Sequence, residues 1–403
     1  MIVITKLACV FILLVLLIRK GVNVGLTLLL GAFFLGLLFS MSLGDIAFTA
    51  YGASVAPRTL TLLAIVLLIT LLGNVLKHME NLGRIASSLE NLLPDVRITL
   101  AAIPAFIGLL PMPGGAMVSA PMTGEVADKV GLDAETKTVV NYWFRHIWEY
   151  SFPLYPGVIL SASIFGITYA DIIRTNGPVN VAAILAGTFL VLAGIKGTKS
   201  KNRDYISSLK TLIFSVWPVV AVVAANLLFG VDLVVALVTV ITILFIQSRF
   251  FSGFLKTIFK ESIRWPLIIL IPSIMIFKAV IEGSGAFNGL PELFVESHIP
   301  IPLILFAIPF TVGLLVGVTE SFVGVSFPLL SAFIEGSGFN FSYFMLAYVG
   351  GFMGVMLSPV HLCLILSREY YGSDLRKVYM RIIPLAASVT AATALLYIFG
   401  WPP

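Results

Sequence analysis

The chain has 403 residues, of which 59% are apolar and only 11% charged, against roughly 25% charged in soluble domains. With a mean hydropathy of +1.05, this excludes an ordinary cytosolic enzyme, a disordered chain and a nucleic-acid binder, despite a formal charge of +5. A membrane helix needs about 20 apolar residues. Ten crossings therefore use roughly 200 and two re-entrant hairpins about 50 more, which leaves no room for a soluble catalytic domain.

In chain order, the apolar run Leu7 to Ile18 is followed by Arg19-Lys20 with no small-residue cleavage site, so it reads as a retained helix. Apolar windows then predict spans near 2–18, 22–40, 59–76, 141–166, 178–195, 207–229, 233–248, 265–281, 341–366 and 382–400. Two further apolar stretches, near 98–122 and 300–334, are interrupted by Gly and Pro at their centres. Each reads as a helical hairpin that enters and leaves the bilayer on one side. With the N-terminus outside, this arrangement puts 20 of the 25 Lys and Arg residues in cytoplasmic segments. Such a bias is expected of cytoplasmic loops, and it places the C-terminus outside too. Cys9 and Cys363 both lie in apolar runs, which argues against a disulfide framework or a zinc site.

The halves repeat at nearly constant offset. Ile103-Pro104-Ala105-Phe106-Ile107-Gly108-Leu109-Leu110 matches Ile308-Pro309-Phe310-Thr311-Val312-Gly313-Leu314-Leu315, 205 positions on. Ser119-Ala120-Pro121-Met122 matches Ser326-Phe327-Pro328-Leu329 at 207, and Gly21-Val22-Asn23 matches Gly230-Val231-Asp232 at 209. Pro153 through Leu160 sits opposite Pro359 through Leu366 at 206. The expected fold is an all-α polytopic membrane protein of about ten transmembrane helices and two re-entrant hairpins. Its two repeats are 1–200 and 201–403. Five spans per repeat is an odd number, so the second repeat is inverted relative to the first, as in alternating-access carriers.

The order of spans, the two hairpins and the proline-broken helices after them resemble the ion transporter superfamily, which includes dicarboxylate, gluconate and citrate carriers and arsenite carriers. Leu110-Pro111-Met112-Pro113-Gly114-Gly115-Ala116-Met117 looks most like a prokaryotic branch of it. The resemblance implies an elevator-type secondary transporter, usually dimeric, with substrate and ions at the hairpin tips and helix breaks. Where dicarboxylate carriers show Ser-Asn-Thr, the tips here read Pro-Met-Pro-Gly-Gly-Ala and Gly-Val-Thr-Glu-Ser.

At the first tip, Gly114 and Gly115 allow close backbone approach, and the helix after them, with Ser119, presents a positive dipole end suited to a carboxylate. At the second tip, Glu320 lies in a hairpin with no other charge. A charge at that depth costs at least about 2.5–3.5 kcal/mol, so Glu320 calls for a proton, or for Na⁺ held with Thr319 and Ser321. The plain alternative for either tip is a turn, with Glu320 hydrated among headgroups. The fourth span opens Asn141-Tyr142-Trp143-Phe144-Arg145-His146-Ile147-Trp148-Glu149, its most polar run. Arg145 and Glu149, four apart, share a helix face and are placed to pair; alternatively Arg145 takes a substrate carboxylate. His146 is in reach of proton transfer. Against this, the stretch reads as an interfacial belt with Arg145 snorkelling. Breaks at Ser151-Phe152-Pro153 and Ser358-Pro359-Val360-His361 expose carbonyls and dipole ends.

Three features read as structural. Lys278 pairs with Glu282 or snorkels, Gly350 and Gly354 pack helices, and the basic stretch 248–264 lies on anionic lipid.

The function expected is a secondary active transporter, not an enzyme, that moves a small organic anion by H⁺ or Na⁺ symport across a prokaryotic inner membrane, as a homodimer in the lipid bilayer. Substrate contacts are expected at Gly114, Gly115, Ser119, Arg145, Thr319 and Ser321, and ion coupling at Glu149, Glu320, Ser151, Ser358 and His361. No cofactor is expected beyond Na⁺ at Thr319 and Glu320. The alternatives are a cation/proton antiporter and, more remotely, a channel or an intramembrane enzyme. For the last, the four histidines are scattered and no nucleophile motif is present.

Overall fold

The computed structural model describes residues 2–79, 81–110, 112, 115–197, 205–248, 252–286, 300–336 and 338–402. Among them the regular structure is helical, with no strand. The first half holds α1 (Ile2–Arg19), α2 (Val24–Leu38), α3 (Leu43–Val55), α4 (Pro57–His78), α5 (Asn81–Leu92), α6 (Val96–Gly108), α7 (Gly115–Asp128), α8 (Ala134–Arg145), α9 (Pro156–Phe165) and α10 (Tyr169–Leu190). The second holds α11 (Tyr205–Phe229), α12 (Leu233–Ser248), α13 (Ser252–Ser262), α14 (Trp265–Gly283), α15 (Ile301–Val316), α16 (Thr319–Glu335), α17 (Phe341–Met356), α18 (Leu362–Tyr371) and α19 (Leu375–Ile398). Among the described residues, five stretches are long and apolar enough to cross a membrane: Pro57–His78, Tyr169–Gly194, Tyr205–Phe229, Leu255–Gly283 and Leu375–Ile398. Large apolar side chains such as Phe214, Leu228, Phe229 and Ile246 face outward, as a lipid-embedded helical protein requires.

Two groups of helices emerge from the packing. α2, α3 and α4 pack against α14, α4 also against α12 and α13, and α5 against α11. The other group comprises α6–α10 and α15–α19. In it each interrupted apolar stretch folds back on itself, α6 on α7 and α15 on α16. The arms are exchanged: α7 packs on α18 and α16 on α9.

The backbone approaches closest where α15 crosses α17. A Cβ on Gly354 would stand 2.1 Å from the Phe310 carbonyl oxygen, and one on Gly313 2.2 Å from that of Gly351. Only hydrogen fits there. The Gly350/Gly354 spacing is therefore a packing seam, as expected, and Lys278 does pair with Glu282 at 3.0 Å.

Three helices differ from the apolar reading. α3 and α5 were not legible as spans. α5 is amphipathic, burying Ile85, Ala86 and Leu89 while Arg84 faces out. The basic stretch 248–264, expected on lipid, lies partly outside the described residues. Its remainder forms α13, which buries Ile258 and is tied to α4 by Asn74 Nδ2 donating to Ser262 Oγ (2.9 Å).

Near the start of α19, Arg381 grips the N-cap of α8. Its Nη1 and Nη2 donate to the two Asp133 oxygens at 2.8 and 2.9 Å. The guanidinium holds the Asp133 carboxyl below the usual carboxylate range. A depressed pKa in the folded state gives stability that is present at neutral pH and lost as pH falls through that pKa. Asp133→Asn keeps a capping side chain but removes the ion pair. It should cost about 0.2–1 kcal/mol at neutral pH, and the gap from wild type should close on acidification. Melting curves in detergent at several pH values read this; a gap independent of pH contradicts it.

Candidate functional site

The span expected over 141–166 is not continuous. α8 ends at Arg145, and residues 146–155 run irregularly through the interior before Pro156 starts α9. Buried irregular backbone must find partners, and side chains from other helices supply them. Asn180 Nδ2 donates to Ile147 O (2.6 Å), Asn176 Nδ2 to Tyr150 O (2.8 Å) and Tyr348 OH to Glu149 O (2.8 Å). The second break, Leu357 to His361, is shorter; Tyr379 OH donates to Leu357 O (3.0 Å).

A cavity of about 190 Å³ lies where these breaks meet the two hairpin turns. One side is formed by Ile69 and Thr70 of α4 and by Arg264 and Leu267 at the start of α14. The other side holds Met112, Arg145, His146, Glu149, Tyr155, Gly157, Thr319, Glu320, His361 and Cys363. The cavity thus sits between the two helix groups.

Helix N-termini converge on it. α9, α16 and α18 begin there, and none has a side-chain cap on its first amides. Elsewhere Asn23, Ser42, Asp95, Asp133, Thr168, Asn340 and Asp374 cap α2, α3, α6, α8, α10, α17 and α19, while α4, α14 and α15 also start without a side-chain cap. Free N–H groups at a positive dipole end favour negative charge; at α16 the first-turn Glu320 already brings a carboxylate there, and α9 opens on Pro156, which has no N–H. Arg145 adds a guanidinium only 2% exposed. Its Nη2 donates to Met112 O (3.1 Å), while its Nε is buried with no partner. The expected pairing of Arg145 with Glu149 is not formed among the described residues, because the helix unwinds between them. Glu149 instead accepts from Thr319 Oγ1 (3.2 Å) across the halves.

Of the expected residues, Arg145, Glu149, Thr319, Glu320 and His361 come together at the cavity. Gly115 touches the Arg145 guanidinium, where a Cβ would stand 2.1 Å from Nη2. Ser119 donates within its own helix to Gly115 O (3.3 Å), Ser151 to Asn180 Oδ1 (2.8 Å), and Ser358 Oγ accepts from Val360 N (3.3 Å). Ser321 is buried in α16 and is not among the lining residues. Gly114 lies outside the described residues.

Two histidines that look scattered in the sequence are in contact. His146 Nε2 and His361 Nε2 are 3.2 Å apart, with the Cys363 thiol beside them. Sequence reasoning placed Cys363 in an apolar run and argued against a zinc site there, although the 206-position repeat places it opposite Gly157, just after a break. Tyr348, Asn176 and Asn180, which hold the first break, gave no local signal.

No curated protein matches the chain. A family described as Protein of unknown function (DUF401) matches residues 3–399, and the chain belongs to it.

Proposed function

We propose that the protein is a secondary active transporter for a small organic anion. The observation that carries this is the cavity between the helix groups. There three uncapped helix N-termini and a buried, under-partnered guanidinium meet in an otherwise apolar chain. A carboxylate supplies what both lack.

Several features support the architecture of the ion transporter superfamily, with ten spans and two re-entrant hairpins. The Gly108 position would place a Cβ 2.2 Å from Arg145 O, and its counterpart Gly313 meets Gly351 O at the same distance. Both members of the contact recur about 205 positions on, which supports two repeats, 1–200 and 201–403, inverted in the membrane. In this reading α6–α10 and α15–α19 form the moving body of an elevator, and the remaining helices form its frame. The frame is the surface through which two copies pair. The site is a prokaryotic inner membrane with both termini outside.

Coupling to H⁺ or Na⁺ is assigned to Glu320, with Thr319 linking it to Glu149. Glu320→Gln should abolish uptake driven by an imposed ion gradient while exchange of anion for anion persists. A coupling of about 1–3 kcal/mol corresponds to a loss of roughly 5–150-fold in accumulation. Proteoliposomes loaded with mono- and dicarboxylates, with pH and Na⁺ gradients crossed, measure it. Wild-type accumulation in the variant removes Glu320 from coupling. The absence of uptake for every anion, with proton-linked Na⁺ flux instead, favours the second reading, a cation/proton antiporter. That reading draws on two carboxylates sharing one cavity.

A further inference from the structure

His146 and His361 enter the cavity from the two different breaks, and both rings are fixed by backbone. His146 Nδ1 lies 2.5 Å from Tyr142 O, and His361 Nδ1 lies 2.8 Å from Gly317 O. A carbonyl only accepts, so each Nδ1 carries the hydrogen and each neutral ring keeps its lone pair on Nε2. Those two lone pairs face each other at 3.2 Å. Such a pair calls for a cation. Cys363 completes a three-atom cluster whose members all lie within 4.8 Å of one another.

The spacing suits a metal ion. Two imidazole nitrogens bound tetrahedrally at about 2.0–2.1 Å stand roughly 3.3–3.4 Å apart, close to what is already present. A histidine whose second nitrogen donates to a carbonyl has the outer support that metal-ligating histidines ordinarily carry. Two imidazoles and a thiolate select a late transition metal over Na⁺, Mg²⁺ or Ca²⁺. All three residues line the cavity, and Glu149 Oε1 is 3.7 Å from His146 Nε2.

We propose that His146, His361 and Cys363 bind one late transition-metal ion of the Zn²⁺ type, leaving a coordination position open to the anion cavity. Binding of the ion does not depend on the transport reading. The role of the open position, as a second anchor for the solute's carboxylate, does rest on it.

The test uses the full chain in detergent, stripped with a chelator and titrated with Zn²⁺ against a competing dye, then with Co²⁺ followed by absorption. One Zn²⁺ per chain is expected, together with a thiolate-to-cobalt band in the near ultraviolet. Zn²⁺ should raise the melting temperature by mass action. Cys363→Ser should remove the band and weaken Zn²⁺ at least about tenfold, as loss of a ligand does more than loss of its outer partner. Cys9→Ser, at the other cysteine and exposed, should change neither. His361→Gln should weaken Zn²⁺ similarly. Wild type that takes up no stoichiometric Zn²⁺ overturns the proposal and leaves the two rings sharing a proton; so does wild-type Zn²⁺ affinity retained in both Cys363→Ser and His361→Gln. Metal binding without carrier-mediated anion uptake removes the transport reading alone, and uptake without metal binding removes only the metal.

Discussion

Arg145→Gln is expected to lower anion affinity by about 10–150-fold, with saturating uptake abolished at micromolar solute. The figure follows from the net worth of hydrogen bonds to a charged group, about 1.5–3 kcal/mol, at 1.4 kcal/mol per decade. The guanidinium holds hydrogen-bond donors that the protein does not use. Nη2 is spent on Met112 O, and Nε has no partner. The glutamine amide is shorter but keeps polar donors in the site while the charge is removed, and the melting temperature without ligand checks that the variant is folded. Arg145→Lys should fall between the two, since the charge stays but the planar fork is gone. Uptake into proteoliposomes and ligand-dependent melting both read the series. If Arg145→Gln binds anion as wild type does, the anion site lies elsewhere.

The second large effect is on stability. Gly354→Ala should destabilise by at least about 1–3 kcal/mol, the usual cost of overpacking. The added carbon meets the Phe310 carbonyl, part of the facing backbone. Backbone cannot rotate away as a long side chain can, so α15 and α17 must separate along their length. Gly108→Ala should behave alike and, because it pushes on Arg145 O, should also impair anion binding. Gly52→Ala, in α3 with nothing within 4 Å of the new carbon, is the control without a clash, where helix propensity favours Ala by about 1 kcal/mol. Thermal melts of the three variants decide the matter; equal melting of Gly354→Ala and Gly52→Ala means that the seam is looser than described.

The hairpins and both breaks were legible because Pro and Gly interrupt apolar runs there, and an interrupted backbone at membrane depth must be buried or line a cavity. The start of the first break was not. Expected near Ser151, it begins at His146. Its carbonyls are satisfied by Asn176, Asn180 and Tyr348, which lie 26 to 199 positions away. A local window contains none of them. α3, α5 and α13 escaped for another reason: they are short or amphipathic, so a hydropathy window averages their faces away. Arg145 and Glu149 were singled out as candidates and both line the cavity, but their mutual pairing assumed a helix that does not continue. The His146–His361 contact spans 215 positions and is visible only once the two breaks are superposed.

The exchanged arms bear on biogenesis. Since α7 leans on α18 and α16 on α9, each half supplies a surface that the other needs in order to close. Within its own half α7 already packs on α8 and Met112 O accepts from Arg145, but the face of α7 that meets α18 is covered only by residues near the other end of the chain. Fragments split between the halves are therefore expected to expose these faces of α7 and α9 until the other fragment is supplied.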